Sequence, residues 1–192
     1  MTKKEVEIFY PKNKQEWRVW LENNHARIDN VWVVFYKKAS GIPTISWSDS
    51  VDEALCFGWI DSKKIVIDAE KSHQFFSKRK PKSTWSKINK LKVERLIAEG
   101  LMTKAGFESI EIAKENGSWY ILDDVDALVI PPDVETAFDK YPSSREFFVS
   151  LSPSVKKMML YWIISAKQAE TRQKRINEIA ELASQKLKPK QF

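Results

Sequence analysis

Between Ala54 and Asn89 the chain gathers reactive, aromatic and anion-binding side chains. The span opens with ALCFGWIDSKK (54–64) and closes with FFSKRKPKSTWSKIN (75–89). It holds the only cysteine, Cys56, one of two histidines, His73, and Trp59, Asp61, Arg79, Trp85 and Asn89. No spacing within it matches a known catalytic constellation. Cys56 could act as a thiolate nucleophile if Lys63, Lys64 or Arg79 stood close enough to lower its pKa. Its expected place near a helix C-terminus disfavours an anion, however. A free cysteine more often behaves as a small buried hydrophobe, here between Leu55 and Phe57. His25 or His73 would serve as general base only by meeting Cys56 or a substrate proton, and sequence brings neither pair together.

The remaining candidates suit binding. On an alternating strand Trp59 and Asp61 share a face, where a carboxylate beside an indole could orient a ligand. The bland alternative for Asp61 is an ion pair with Arg79. Trp85 and Asn89, at i and i+4, would lie on one helix face. Ser83 and Ser86 near that helix start, with Arg79 and Lys82 just before, could receive a phosphate or carboxylate, or could be ordinary capping. Together with Trp32 and Trp47, these residues predict one pocket: Trp32, Trp47, Trp59 and Trp85 as walls, and Asp61, Arg79 and Asn89 as polar contacts for a small anionic ligand. Nothing calls for a cofactor. Two histidines and one cysteine, with no acidic cluster at ligand spacing, argue against a metal site.

Several elements must position these groups. Residues 13–25 place Trp17, Trp20 and Leu21 on one helical face, with Asn13 as cap. VWVVFYKK (31–38) reads as a strand. SGIP (40–43) turns the chain, and TISW (44–47) reads as a second strand completing a hairpin. Ser48-Asp49-Ser50 would cap a short helix ended by Gly58. Residues 59–68 and 73–78 read as paired strands. Ser83 is expected to cap a helix through Glu99. Further helices are predicted over 103–117, 133–140, 144–151, 153–166 and 170–186, with 119–122 ambiguous. The fold class is therefore α+β: a small N-terminal antiparallel sheet with helices, then a mostly helical C-terminal part. The expected domains are 1–122 and 123–192, joined at the acidic, proline-containing stretch 123–132.

Composition narrows the function classes. The 192 residues are 43% hydrophobic and 30% charged, which is ordinary for a globular chain with a real core. One cysteine excludes an internal disulfide. The first residues, MTKKEVEIFYPKNKQEW, have no apolar run of signal-peptide kind, and MMLYWII (158–164) is too short to span a bilayer, so a soluble cytoplasmic protein is expected. Net charge is +6, unevenly spread: residues 63–95 carry eleven basic and three acidic side chains, and residues 108–139 nine acidic ones against Lys114 alone. A basic face for nucleic acid is one reading of this; solubility and internal complementarity are the others. AKQAETRQKRI (166–176) would set Lys167, Thr171 and Arg175 along a helix face, for solvent or for an acidic partner.

Four segments carry a resemblance: ALCFGWID (54–61), FSKRKPKSTWSKIN (76–89), GLMTKAGFESIEIAKENGSW (100–119) and YWIISAKQAETRQKRI (161–176). In this order they resemble the YdeI/OmpD-associated family, also called bacteriocin-protection proteins. The family shows a proline-arginine pair before the tryptophan; here Lys78-Arg79 stands there, so Arg79 carries over and the proline does not. The resemblance implies a bacterial stress-response protein with a protein partner at the envelope, without naming an activity. The alternatives are an enzyme with Cys56 as nucleophile and a basic nucleic-acid-interacting factor.

Overall fold

The computed structural model describes residues 6–192. The chain divides into two compact units between Trp119 and Tyr120. The first opens with a short strand β1 (Ile8–Phe9) and helix α1 (Lys14–Asn24). Asn13 caps α1 by accepting the Glu16 N–H at 2.9 Å, and Glu16 returns a bond to the Lys12 N–H. The apolar face of α1 buries Trp17, Trp20 and Leu21. Strand β2 (Asn30–Tyr36) follows, then α2 (Trp47–Cys56), β3 (Trp59–Val66), β4 (Lys71–Lys78), α3 (Lys87–Ala98) and α4 (Lys104–Glu115).

The sheet order is β1-β2-β4-β3. β4 pairs antiparallel with both neighbours, and the two-residue β1 adds a parallel edge. The expected second strand over TISW is not there. Lys38–Ser40 form a 3₁₀ turn, and Trp47 is already helical. The cause is a cap: Ser46 Oγ accepts the Asp49 N–H at 3.0 Å, which starts α2 before the serine-aspartate-serine cluster expected to cap it. β2 finds its antiparallel partner in β4 instead of a hairpin mate, a long-range choice that local propensity cannot reveal.

A similar shift affects α3. Ser86, rather than Ser83, caps it by accepting the Asn89 N–H at 3.3 Å. Trp85 therefore precedes the helix, and the expected sharing of a helix face by Trp85 and Asn89 does not hold. The other predicted helices of the first unit appear within a few residues of expectation, α4 being capped by Thr103.

α2 lies against α1, β3, α3 and α4, and every residue from Ser50 to Trp59 is buried. The core joins Trp17, Leu21, Val31, Val33, Leu55, Trp59, Phe76, Trp85 and Leu96. Two glycines permit the close approach of α4. Gly58 sits at φ +71°, and a Cβ there would meet the Ala105 carbonyl oxygen at 2.9 Å. At Gly106 a Cβ would meet the Cys56 carbonyl oxygen at 2.3 Å. Both clashes are with backbone, which cannot swing aside.

The second unit is helical: α5 (Asp123–Asp126), α6 (Pro132–Phe138), α7 (Ser144–Ser150), α8 (Pro153–Ile164) and α9 (Ala169–Ser184). Val134, Phe138, Phe148, Met159, Leu160, Ile163 and Ile176 form its core. Arg172 grips Asp133 with two hydrogen bonds of 2.7 and 2.9 Å. Arg175 stacks on Trp162 and donates to the Trp162 carbonyl and to Ser165. Arg175 of the expected stripe and its neighbour Arg172 thus serve internal contacts. Among the described residues no helix is long and apolar enough to cross a membrane.

Gly106→Ala should destabilise the first unit by about 3 kcal/mol through overpacking against fixed backbone. Gly117→Ala, at φ +80° with open space around it, should lose only about 1 kcal/mol, from the left-handed backbone alone. Urea unfolding of the two variants against the parent sequence checks the ranking.

Candidate functional site

The end of the β3–β4 ladder builds one cleft of the first unit. Gly58 reverses the chain after α2, and its carbonyl accepts the Arg79 N–H at 2.9 Å, extending the ladder beyond the Trp59–Lys78 pair. This sets Trp59 and Arg79 side by side at the end of the sheet. The chain then turns at Pro81 and delivers Trp85. The Arg79 guanidinium carbon lies 3.6 Å from the centre of the Trp85 ring, closer than any other cation–ring pair described. Trp119 packs on Trp85 at 4.9 Å between ring centres.

A cleft of about 350 Å³ results. Trp59, Arg79 and Trp85 line it with Phe57, Pro81, Ala105 and Ile112; His25, Lys78, Lys80, Glu108 and Ser109 also contribute. Its size falls at the lower end of small-molecule sites.

Three buried side-chain atoms of the described residues have no hydrogen-bond partner: Trp59 Nε1, Arg79 Nε and Trp85 Nε1. All three are donors, and all three side chains line this one cleft. Trp59 is fully buried and Trp85 only 1% exposed, so water does not reach the indole nitrogens freely. Leaving a buried donor unmade costs about 1–3 kcal/mol per group. Native cores rarely keep three such donors together without an acceptor that completes them. Among the described residues no carboxylate forms an ion pair with the Arg79 guanidinium. Burial pushes its pKa down to about 10, with the charge of Asp61 pulling weakly the other way. At neutral pH it remains a cation with part of its hydration removed.

The other predicted site residues fall elsewhere. Asp61 makes no ion pair with Arg79; its Oδ2 accepts the Trp47 indole N–H at 3.0 Å and the Gln74 amide at 3.1 Å. Trp47 and Gln74 line a separate groove of about 780 Å³ with Lys37, Lys38, Ile42 and Lys64. Trp32 lies on the sheet face opposite buried Val31 and Val33, edge-on to Phe75, with Lys63 Nζ 5.2 Å from both rings. His73 stands on that same face, its pKa lowered by burial and by Lys71. Asn89 sits in the first turn of α3, outside the lining of the cleft. The single predicted pocket thus resolves into three places, and Trp59, Arg79 and Trp85 are the predicted ligand-binding residues that meet. His25 reaches the cleft too, its ring 5.1 Å from that of Phe57 and its Nδ1 2.8 Å from the Leu21 carbonyl oxygen.

Cys56 is fully buried on α2. Burial, reinforced by neighbouring Glu53, pushes its thiol up to about 11, against the opposing pull of Arg18. Neither histidine forms a bond with it. The α4 contributors Ala105, Ser109 and Ile112 escaped sequence reasoning. The one signal that could have found them is the glycine pair Gly58 and Gly106, whose missing Cβ atoms let α4 approach.

Two family models match parts of the chain. Residues 9–109 match a domain of unknown function, DUF8412. That span exceeds half of the 192 residues, and the chain belongs to this family. Residues 127–186, most of the helical unit, match OmdA, described as Bacteriocin-protection, YdeI or OmpD-Associated. The resemblance read from YWIISAKQAETRQKRI falls within that match, whereas the cleft segments fall under the DUF8412 model. No curated protein and no solved structure matches the chain.

Iodoacetamide at pH 8 should leave Cys56 unmodified in the folded protein and alkylate it in urea, as read by mass spectrometry. The thiol also sets a pH dependence. Its folded pKa is raised, so its contribution to stability is complete below pH 9 and is lost as pH rises towards 11. Cys56→Ala should lose less of its urea midpoint than the parent between those pH values.

Proposed function

We propose that the first unit is a binding module for a small anionic ligand seated in the Arg79 cleft. The observation that supports this is the convergence of three unpartnered buried donors, one of them a cation, on one cavity. An anion brings acceptors only, so it can complete Arg79 without introducing a further unpaired donor beside the two indoles. Arg79 is held in place by its stack on Trp85 and by its bond to the Thr84 carbonyl at 3.0 Å, so little side-chain entropy is lost on binding. The likeness of the helical unit to bacteriocin-protection proteins supports a role in a bacterial protective response; action in the cytoplasm on a protein partner is part of the proposal. The thiol of Cys56, buried and held protonated, lends no support to the enzyme alternative.

A thermal-shift screen against inorganic and organic anions tests the reading. A ligand at a hundredfold excess over its Kd should raise the melting temperature by roughly 5–10 °C. Arg79→Ala should abolish the shift while keeping the circular dichroism of the parent. A stabilising anion that protects both proteins equally would place binding elsewhere and sink the proposal.

A further inference from the structure

The Arg79 guanidinium has three edges, and the fold uses one. Nη1, on the Cδ side of the group, donates to the Thr84 carbonyl at 3.0 Å. The face of the group lies on Trp85, which fixes its plane. The opposite edge, Nε with Nη2, has no hydrogen bond to any described residue. Nε is sealed from solvent. What remains without an acceptor is the side-on fork of two parallel N–H donors, whose Nε a ligand oxygen reaches only by parting the atoms that cover it. Such a fork matches the two coplanar oxygens of a carboxylate, giving a bidentate charge-assisted pair.

The charges around the fork narrow the ligand further. Lys78 lines the cleft but is committed to Asp29 and to the Ala26 carbonyl, both at 2.9 Å. Lys80 is exposed, where its attraction is screened by water. Glu108 adds a negative charge to the lining. Arg79 is thus the one substantially desolvated cation lining the cleft, and it balances a single negative charge. A phosphate dianion would bring a second one with no buried partner. The rest of the lining is largely apolar, from Phe57, Pro81, Ala105 and Ile112.

We infer that the ligand is a monocarboxylic acid with an apolar body, its carboxylate held side-on by Nε and Nη2 of Arg79 and its body packed between Phe57 and Ile112. This rests on the anion-binding reading of the cleft and names the chemical class it takes.

The test titrates the full chain with phenylacetate, hexanoate, phenyl phosphate and inorganic phosphate, followed by calorimetry and by tryptophan fluorescence. The two carboxylates should bind at least tenfold tighter than phenyl phosphate. Arg79→Lys keeps the charge but loses the fork, and should weaken phenylacetate at least tenfold. Should that variant fail to fold, Ile112→Trp fills the cleft from a position 43% exposed, and the same loss is expected. Phenyl phosphate binding as tightly as phenylacetate overturns the carboxylate assignment and leaves the anion site standing. Carboxylate binding unchanged in the folded variants overturns the placement. If no anion of either class binds, the assignment and the anion site fall together.

Discussion

From Ser50 onward helix α2 is buried, and the two carboxylates of that stretch must be neutralised there. Asp52 is 5% exposed and Glu53 only 1%. An unpaired carboxylate in such a place would be several kcal/mol unfavourable. Glu53 is met by Arg18 at 2.8 Å and Lys14 at 3.2 Å, both on α1. Asp52 is met by Lys92 at 2.5 Å and by Arg95, both on α3. Adjacent residues on one helix therefore tie down the helices on two sides. Apolar packing alone would tolerate sliding; ion pairs with fixed partners set which turn of α1 and of α3 faces α2.

The cleft inherits its shape from that arrangement. With α2 fixed, Gly58 begins β3 at a defined place, and its carbonyl anchors Arg79 across the ladder. α3 and the loop before it bring Trp85 beneath the guanidinium. α4 closes the side, with Thr103 bonding the Cys56 carbonyl through both its N–H and its hydroxyl. Arg79 is left stacked on an indole, short of water and one acceptor pair from completion. This buried polar group is incompletely satisfied by the described residues, which departs from ordinary core practice.

Local signals were strong where a single element decides its own state. Asn13 caps its helix in the expected place, because the capping side chain and the N–H it accepts are only three residues apart. They failed where an alternative lay equally near. Ser46 and Ser86 took the caps expected of Ser48–Ser50 and Ser83, and TISW went to a helix start although its β-branched residues favour a strand. The pairing of β2 with β4 depends on residues 35 to 47 positions apart, beyond what a window of sequence can weigh.

The chain's own residues determined the α+β class, the helical second unit, and the segment from Gly58 to Trp85 as the place where cation, indoles and glycine come together, since these follow from types and spacing along a short stretch. Only tertiary structure decided which of the candidates meet. Strand alternation sent Trp32 and His73 to the far face of the sheet. Asp61 turned to Trp47 and Gln74, and burial turned Cys56 from a reactive thiol into packing. It also decided that Arg79 lies on Trp85 with one edge unpaired, because stacking, burial and the absence of an acceptor are properties of three-dimensional neighbours that linear spacing does not contain.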